Sequence, residues 1–291
     1  MSDRGSMEQG TRKAGEPIFG FDAFAPKEIA AKVETVGVAK ARLPLLTMLM
    51  LSILAGAFIG LGALYFVIVR SDPTLGYATA QVLGGVVFSL GLLLVVVAGA
   101  ELFTGNNLLA MAWADGRITT AELLRNWGIV AFGNLIGAIG LAALVFLSRH
   151  PEMNNGAIAA QYMQVAVVKT DMPFWTAFFR GVLCNVLVCM AVWMAIAGRS
   201  VVDKAIAIVF PISGFVAAGF EHSIANMYFI PLAMMLQASG TVADTWPAIT
   251  VGGFIGNLVP VILGNLVGGS VLVGLVYWVI YVRGQKPTRR A

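Results

Sequence analysis

The sequence predicts an all-α membrane protein of six transmembrane helices, arranged as an inverted repeat with the second and fifth helices broken. Three observations carry this: a charge deficit, apolar runs of spanning length, and a duplicated segment that places a glutamate where a helix should run on. Of 291 residues, 12% are charged and 58% hydrophobic, with a mean hydropathy of +0.84; soluble domains carry about 25% charged residues. The charges gather in short islands between apolar stretches, and about 20 apolar residues suffice to cross a bilayer.

The elements follow in chain order. Residues 1–25 are polar and rich in glycine and charge near their start, so a disordered tail is expected. Residues 26–283 form the single membrane domain, and 284–291 a basic tail. Ile29, Val33 and Val36 fall on one helical face among lysines, as in a helix lying on the cytoplasmic membrane surface. Leu45–Val69, Ala78–Ala100 and Trp127–Ser148 are uncharged spans. The fourth covers Pro173–Gly198, with Arg180 near its start. The fifth begins near Lys204, is interrupted at Glu221-His222 and resumes at Ser223. The uncharged stretch from Trp246 to Val282 is too long for one span, so Pro260 is expected to separate a short outer segment from the sixth helix.

Lysine and arginine bias sets the orientation. Seven lie before the first span (Arg4 to Arg42), two each in the loops at Arg117/Arg125 and Arg199/Lys204, and four after the last span (Arg283 to Arg290), fifteen on one side. The opposite loops hold Arg70, Arg149 and Lys169. Six spans with both termini cytoplasmic, in the plasma (inner) membrane, fit this asymmetry. It also accounts for the net charge of +4 better than a nucleic-acid partner would. No cleavable signal peptide is recognisable, so the first span is expected to target the chain. Cys184 and Cys189 point to different faces of one helix and are not expected to pair; no metal-ligand spacing and no cofactor motif occurs.

The repeat joins AGAELFTGN (98–106) to AGFEHSIAN (218–226), and GNLIGA (133–138) to GNLVGG (264–269). With three spans per half, the halves enter the membrane in opposite directions. Broken helices are tolerated in a bilayer where the freed backbone is buried in protein or lines a wet cavity. Half-helix N-termini offer free N–H groups and a positive dipole end, which favour an anion.

His222 is the leading functional candidate, because ionisable groups at membrane depth face a pathway or cavity and histidine changes charge near neutral pH. Glu221 follows a different helical direction and is expected not to line the path. Glu101 and Glu221 are expected to bind backbone N–H groups at the breaks or to pair with buried amides, and Asn185 and Asn265 are candidates either for those amides or for donors to the substrate. Thr104 supplies a hydroxyl at the first break. Phe88, Leu92, Leu102, Phe103, Val188 and Phe215 lie on the same helices, where apolar side chains pack or form constrictions. Lys169 stands before the fourth span, either as a solvated loop lysine or as an anion-attracting mouth residue.

Through AGAELFTGN, RGVLCNVLVCMAVWMA (180–195) and GFEHSIANM (219–227), the chain resembles the formate/nitrite transporter family over roughly residues 21–283. The resemblance implies an aquaporin-like fold, a homopentamer in lipid with one pore per protomer, and Thr104 and His222 as the central polar pair. It implies constrictions at Phe88, Leu92, Leu102, Phe103, Val188 and Phe215, support from Asn185 and Asn265, and Lys169 in the outer vestibule. Thr104–Asn107 would correspond to a gating loop. The stretch from Gly198 to Met234 resembles the formate branch more than the nitrite branch. The expected activity is transport of a small monovalent weak-acid anion, with formate and protons as partners and His222 as proton donor. Nitrite or a broader anion range is the alternative. An aquaporin-like channel for neutral solutes is more remote, since Asn-Pro-Ala motifs are missing at the breaks. An enzyme using Ser223 and His222 is disfavoured, since neighbours on a helix diverge by about 100°.

Overall fold

The computed structural model describes residues 23–284, and the expectations for the first 22 residues and the C-terminal tail lie outside them. Among the described residues the secondary structure is helical. The elements are α1 (Pro26–Ala41), α2 (Leu45–Arg70), α3 (Tyr77–Gly99), α4 (103–114), α5 (Thr120–Leu147), α6 (Ala157–Thr170), α7 (Phe174–Ala197), α8 (Val201–Ala217), α9 (Ser223–Ala238) and α10 (Val251–Tyr281). Five of them, α2, α3, α5, α7 and α10, are long and apolar enough to cross a membrane. The remaining apolar stretch is divided between α8 and α9, so the chain is a multi-pass membrane protein.

Local chemistry explains where these helices start. Thr119 accepts a hydrogen bond from the Glu122 N–H while Glu122 reaches back to the Thr119 N–H, and Ser200 and Asp203 do the same at α8. Thr250 caps α10 through the Gly253 N–H. Each arrangement satisfies donors that a helix start leaves free.

Small residues hold the bundle together. In lipid there is no hydrophobic gain from pairing two apolar helices, so close backbone approach has to supply the contact energy. A Cβ built at Gly137 of α5 would overlap the carbonyl oxygen of Ile53 in α2. A Cβ at Gly264 of α10 would overlap that of Phe178 in α7. The pairs α2/α5 and α7/α10 are thereby locked at backbone distance.

The structure differs from expectation in three places. Pro260 does not divide the last stretch: α10 runs unbroken through it for 31 residues, about 46 Å at 1.5 Å per residue. The residue four before it is Gly256, which lacks a side chain where the proline ring crowds the preceding turn, and a helix longer than the bilayer tilts or projects. The segment before the fourth span is a helix, α6. In α1, Ile29 and Val33 are buried against Leu108, Met111 and Trp193, whereas Val36 is 42% exposed.

Candidate functional site

Two chain breaks, at 100–102 and 218–222, form the site, and they follow one plan. Gly99 ends α3 with φ +82° and Gly219 follows α8 with φ +69°, a left-handed conformation that glycine adopts without strain. The Ala100 N–H then reaches back to Val95 O (2.9 Å) and the Phe220 N–H to Phe215 O (3.0 Å), closing both helix ends. Extended residues follow, Leu102 in the first break and His222 in the second, before α4 and α9 begin.

One asparagine clamps each restart. Asn134 Oδ1 accepts from the Phe103 N–H (2.9 Å), while its Nδ2 donates to Ser52 O (2.7 Å) and Glu101 O (2.9 Å). Asn265 Oδ1 accepts from the Ser223 N–H (3.0 Å), while its Nδ2 donates to Gly181 O (2.8 Å) and Glu221 O (3.0 Å). Each amide therefore satisfies the restart's first N–H and a carbonyl of the break, and ties both to a carbonyl of a neighbouring helix. Replacing Asn265 with leucine strands these groups in an apolar interior, at about 1–3 kcal/mol for a buried unsatisfied group. The expected result is a markedly lower thermal unfolding midpoint of the detergent-solubilised protein, with Asn265→Ser closer to wild type.

The glutamates repeat the plan. Glu101 pairs with Lys40 (2.9 Å) and accepts from Asn106 Nδ2 (2.6 Å), which also donates to Asn126 Oδ1 (3.0 Å). Glu221 pairs with Lys169 (2.8 Å) and accepts from Asn226 Nδ2 (2.7 Å), which also donates to Asn257 Oδ1 (2.7 Å). Asn126 and Asn257 return a bond to the carbonyls of Lys40 (3.2 Å) and Lys169 (2.9 Å). Both glutamates are thus held by buried amides, as expected, but the amides are Asn106 and Asn226 rather than Asn185 and Asn265. Glu221 also lines a cavity, contrary to expectation. The angular argument assumed a helix there, and residues 220–222 are not helical.

The halves differ where chemistry is concentrated. Thr104 Oγ1 and His222 Nε2 lie 3.1 Å apart, both residues buried. His222 caps α9: its Nδ1 accepts from the Ala225 N–H at 3.2 Å. In the neutral ring an accepting Nδ1 places the proton on Nε2, so His222 donates toward Thr104. Asn185 Nδ2 holds the break from behind, donating to Thr104 O (3.2 Å), Asn107 Oδ1 (2.7 Å) and Asn265 O (2.7 Å). The Cys189 thiol also donates to Thr104 O (3.4 Å). Thr104–Asn106 forms a helical turn and Asn107–Leu109 continues it.

A cavity lies on either side of this pair. One, about 220 Å³, reaches His222, Phe88 and Phe215, with Lys169 and Glu221 in its wall. The other, about 490 Å³, reaches Leu92 and Leu102, with Lys40 and Glu101 in its wall. Phe215 stacks on the His222 ring at 5.8 Å and meets Phe88 edge-on at 5.7 Å. Phe88, Leu92, Leu102, Phe103, Val188 and Phe215 are all buried in the core. Phe103 and Val188 line neither cavity.

Lys40, Asn106, Asn126, Asn134, Asn226, Asn257 and Cys189 are site residues that sequence reasoning missed. A readable signal existed for five of them, since Asn134 is itself the asparagine of a repeated GNL motif. Asn126 and Asn257 each stand eight residues before the asparagine of a GNL motif, and Asn106 and Asn226 each stand five residues after the repeated glutamate.

Two interrupted helices meeting at one buried donor pair, with a cavity on each side, define a polytopic membrane protein of the channel and transporter class. The chain belongs to the formate/nitrite transporter family, whose description matches residues 27–279. It is 42% identical over 282 residues to the formate channel FocA of Escherichia coli strain K12, covering 93% of this chain and 98% of that one. It is 38% identical over 277 residues to a probable formate transporter of Methanothermobacter thermautotrophicus, covering 89% and 97%. Among solved structures it is similar to a pentameric formate channel with formate bound (TM-score 0.75, 38% identity, 82% of this chain and 98% of that one). It is also similar to an FNT family ion channel (TM-score 0.77, 32% identity, 87% and 98%).

Proposed function

We propose that this protein carries formate across the plasma membrane through a path inside each protomer of a homopentamer. The Thr104–His222 pair between two cavities carries this reading, and the formate channels among its relatives support it. An anion leaving either cavity meets a ring of apolar side chains, and a bare charge is expensive to desolvate there. His222 Nε2–H is the donor poised between the rings. At acidic pH the ring takes up a second proton at Nδ1 in place of the Ala225 cap; passing the Nε2 proton to a carboxylate then leaves a neutral imidazole and lets the substrate cross as a weak acid. Thr104 orients the imidazole from one side, and the Ala225 N–H fixes its tautomer from the other.

The matched Gly, Glu–Lys and Asn networks at the two breaks support an inverted repeat of three spans per half, and the lysine and arginine bias supports both termini being cytoplasmic. On this reading the Lys169-side cavity is the outer vestibule, and the membrane domain extends over residues 26–283.

Uptake of labelled formate into proteoliposomes, with unlabelled nitrite as competitor, tests the assignment. Uptake that rises from neutral to acidic pH and resists nitrite supports a formate transporter. Efficient competition by nitrite moves the assignment to a nitrite or broad-range carrier. Swelling driven by glycerol, with no anion uptake, rejects it in favour of a neutral-solute channel.

A further inference from the structure

Lys169 is the obvious cation with which to attract an anion into its cavity, yet its charge is already taken. Its ammonium sits 2.8 Å from the Glu221 carboxylate, and the pair is almost buried. The same cavity is lined by two more cations, Arg70 and Arg180. Among the described residues neither guanidinium has a carboxylate within 4 Å or a hydrogen bond to protein. Three cations and one carboxylate leave this cavity with a formal surplus of two positive charges, both on arginine. The Lys40-side cavity holds Lys40, Lys204 and Glu101, a surplus of one.

A second, independent feature lies in the same wall. Gln161 of α6 is only 8% exposed, and its amide has no hydrogen-bond partner among the described residues. Buried polar groups are normally satisfied. Gln161 lines the same cavity. Its neighbour Gln81, by contrast, is occupied by Ala217 O (3.1 Å). An unpartnered amide thus lines the same cavity as two guanidinium groups, one half-buried and one exposed, that no protein carboxylate engages.

We propose that Arg70, Arg180 and Gln161 form a capture subsite for a small carboxylate at the Lys169-side mouth, distinct from the Thr104–His222 pair. Guanidinium presents a planar fork that matches a carboxylate through two parallel N–H···O bonds, which a spherical halide cannot reproduce. The subsite concentrates substrate ahead of the apolar ring. Lys169 and Glu221 instead hold the second break in place. The inference rests on the transport reading for its purpose but not for its chemistry, and the experiments separate the two.

In formate uptake by proteoliposomes, Arg70→Gln/Arg180→Gln raises KM about tenfold with the maximal rate within twofold of wild type, the scale on which removing focused charge acts. It also flattens the rise of wild-type KM with ionic strength. Arg180→Lys keeps the salt dependence but not the low KM, because the charge survives and the fork does not. An unchanged KM and salt dependence in the double variant overturns the subsite, and a wild-type KM in Arg180→Lys overturns its carboxylate geometry. A readout independent of transport is phenylglyoxal modification of Arg70 and Arg180 in the purified full-length protein, followed by mass spectrometry. Formate slows it severalfold at an ionic strength where chloride does not; equal protection by chloride overturns the proposal. A wild-type protein that takes up no formate but shows this protection refutes the transport reading and leaves the subsite standing.

Discussion

Replacing His222 with phenylalanine abolishes acid-stimulated formate uptake, by a factor of about 10² or more, the range attributed to a positioned proton donor. The ring volume and the stack on Phe215 are retained, so packing around the second break changes little. What disappears is Nε2–H, the donor facing Thr104, together with Nδ1, the acceptor of the Ala225 N–H. Losing that cap weakens α9 by about 1 kcal/mol, too little to prevent assembly, and size-exclusion of the purified variant checks this. His222→Asn separates two roles. Its amide still donates a hydrogen bond but accepts no proton near neutral pH. Acid-independent residual uptake by this variant assigns the pH response to protonation of the imidazole. Undiminished uptake by His222→Phe removes the histidine from the mechanism.

The second large effect concerns Lys169 and Glu221. Their side chains are 12% and 4% exposed and 2.8 Å apart. Removing one partner of a buried pair leaves an uncompensated charge and costs about 3–5 kcal/mol, whereas replacing both by apolar groups is often near neutral. Lys169→Met and Glu221→Leu are therefore each expected to lower the thermal unfolding midpoint sharply, and the double variant to recover much of the loss. Asn226 tempers the recovery, because its Nδ2 donates to Glu221 as well as to Asn257. A double variant as unstable as the sum of the single variants would show that the two residues act separately, against the geometry.

Much of the site was legible because the membrane restricts what a sequence can mean. A glutamate and a histidine in an apolar run have few cheap explanations, and the repetition of the glutamate 120 residues apart, within a shared motif, marked both breaks. The glycines at 99 and 219 and the asparagines at 134 and 265 lie inside the repeated motifs. Lys40 was unreadable as a site residue, because on sequence it is one of several surface lysines of α1. Only the packing of α1 against the loop that carries Glu101 brings it into play. Asn185 was singled out as a partner for the glutamates or the substrate, yet its three bonds go to groups about 80 residues away along the chain in either direction, and no spacing rule encodes that. Pro260 misled because local propensity disfavours a helix-interior proline, while neighbouring helices supply the packing that keeps α10 continuous.

By itself the sequence determined the membrane class, the order of the spans and the two breaks. Each of these follows from composition, hydrophobic length or a repeated motif, which are properties of the chain read in one dimension. The tertiary structure alone decided which lysine meets which glutamate, which asparagine holds which break, and which cations at the mouth remain unpaired. Those are questions of distance between remote segments, and in a bundle locked by glycine contacts they are settled by backbone approach rather than by any signal carried in one segment.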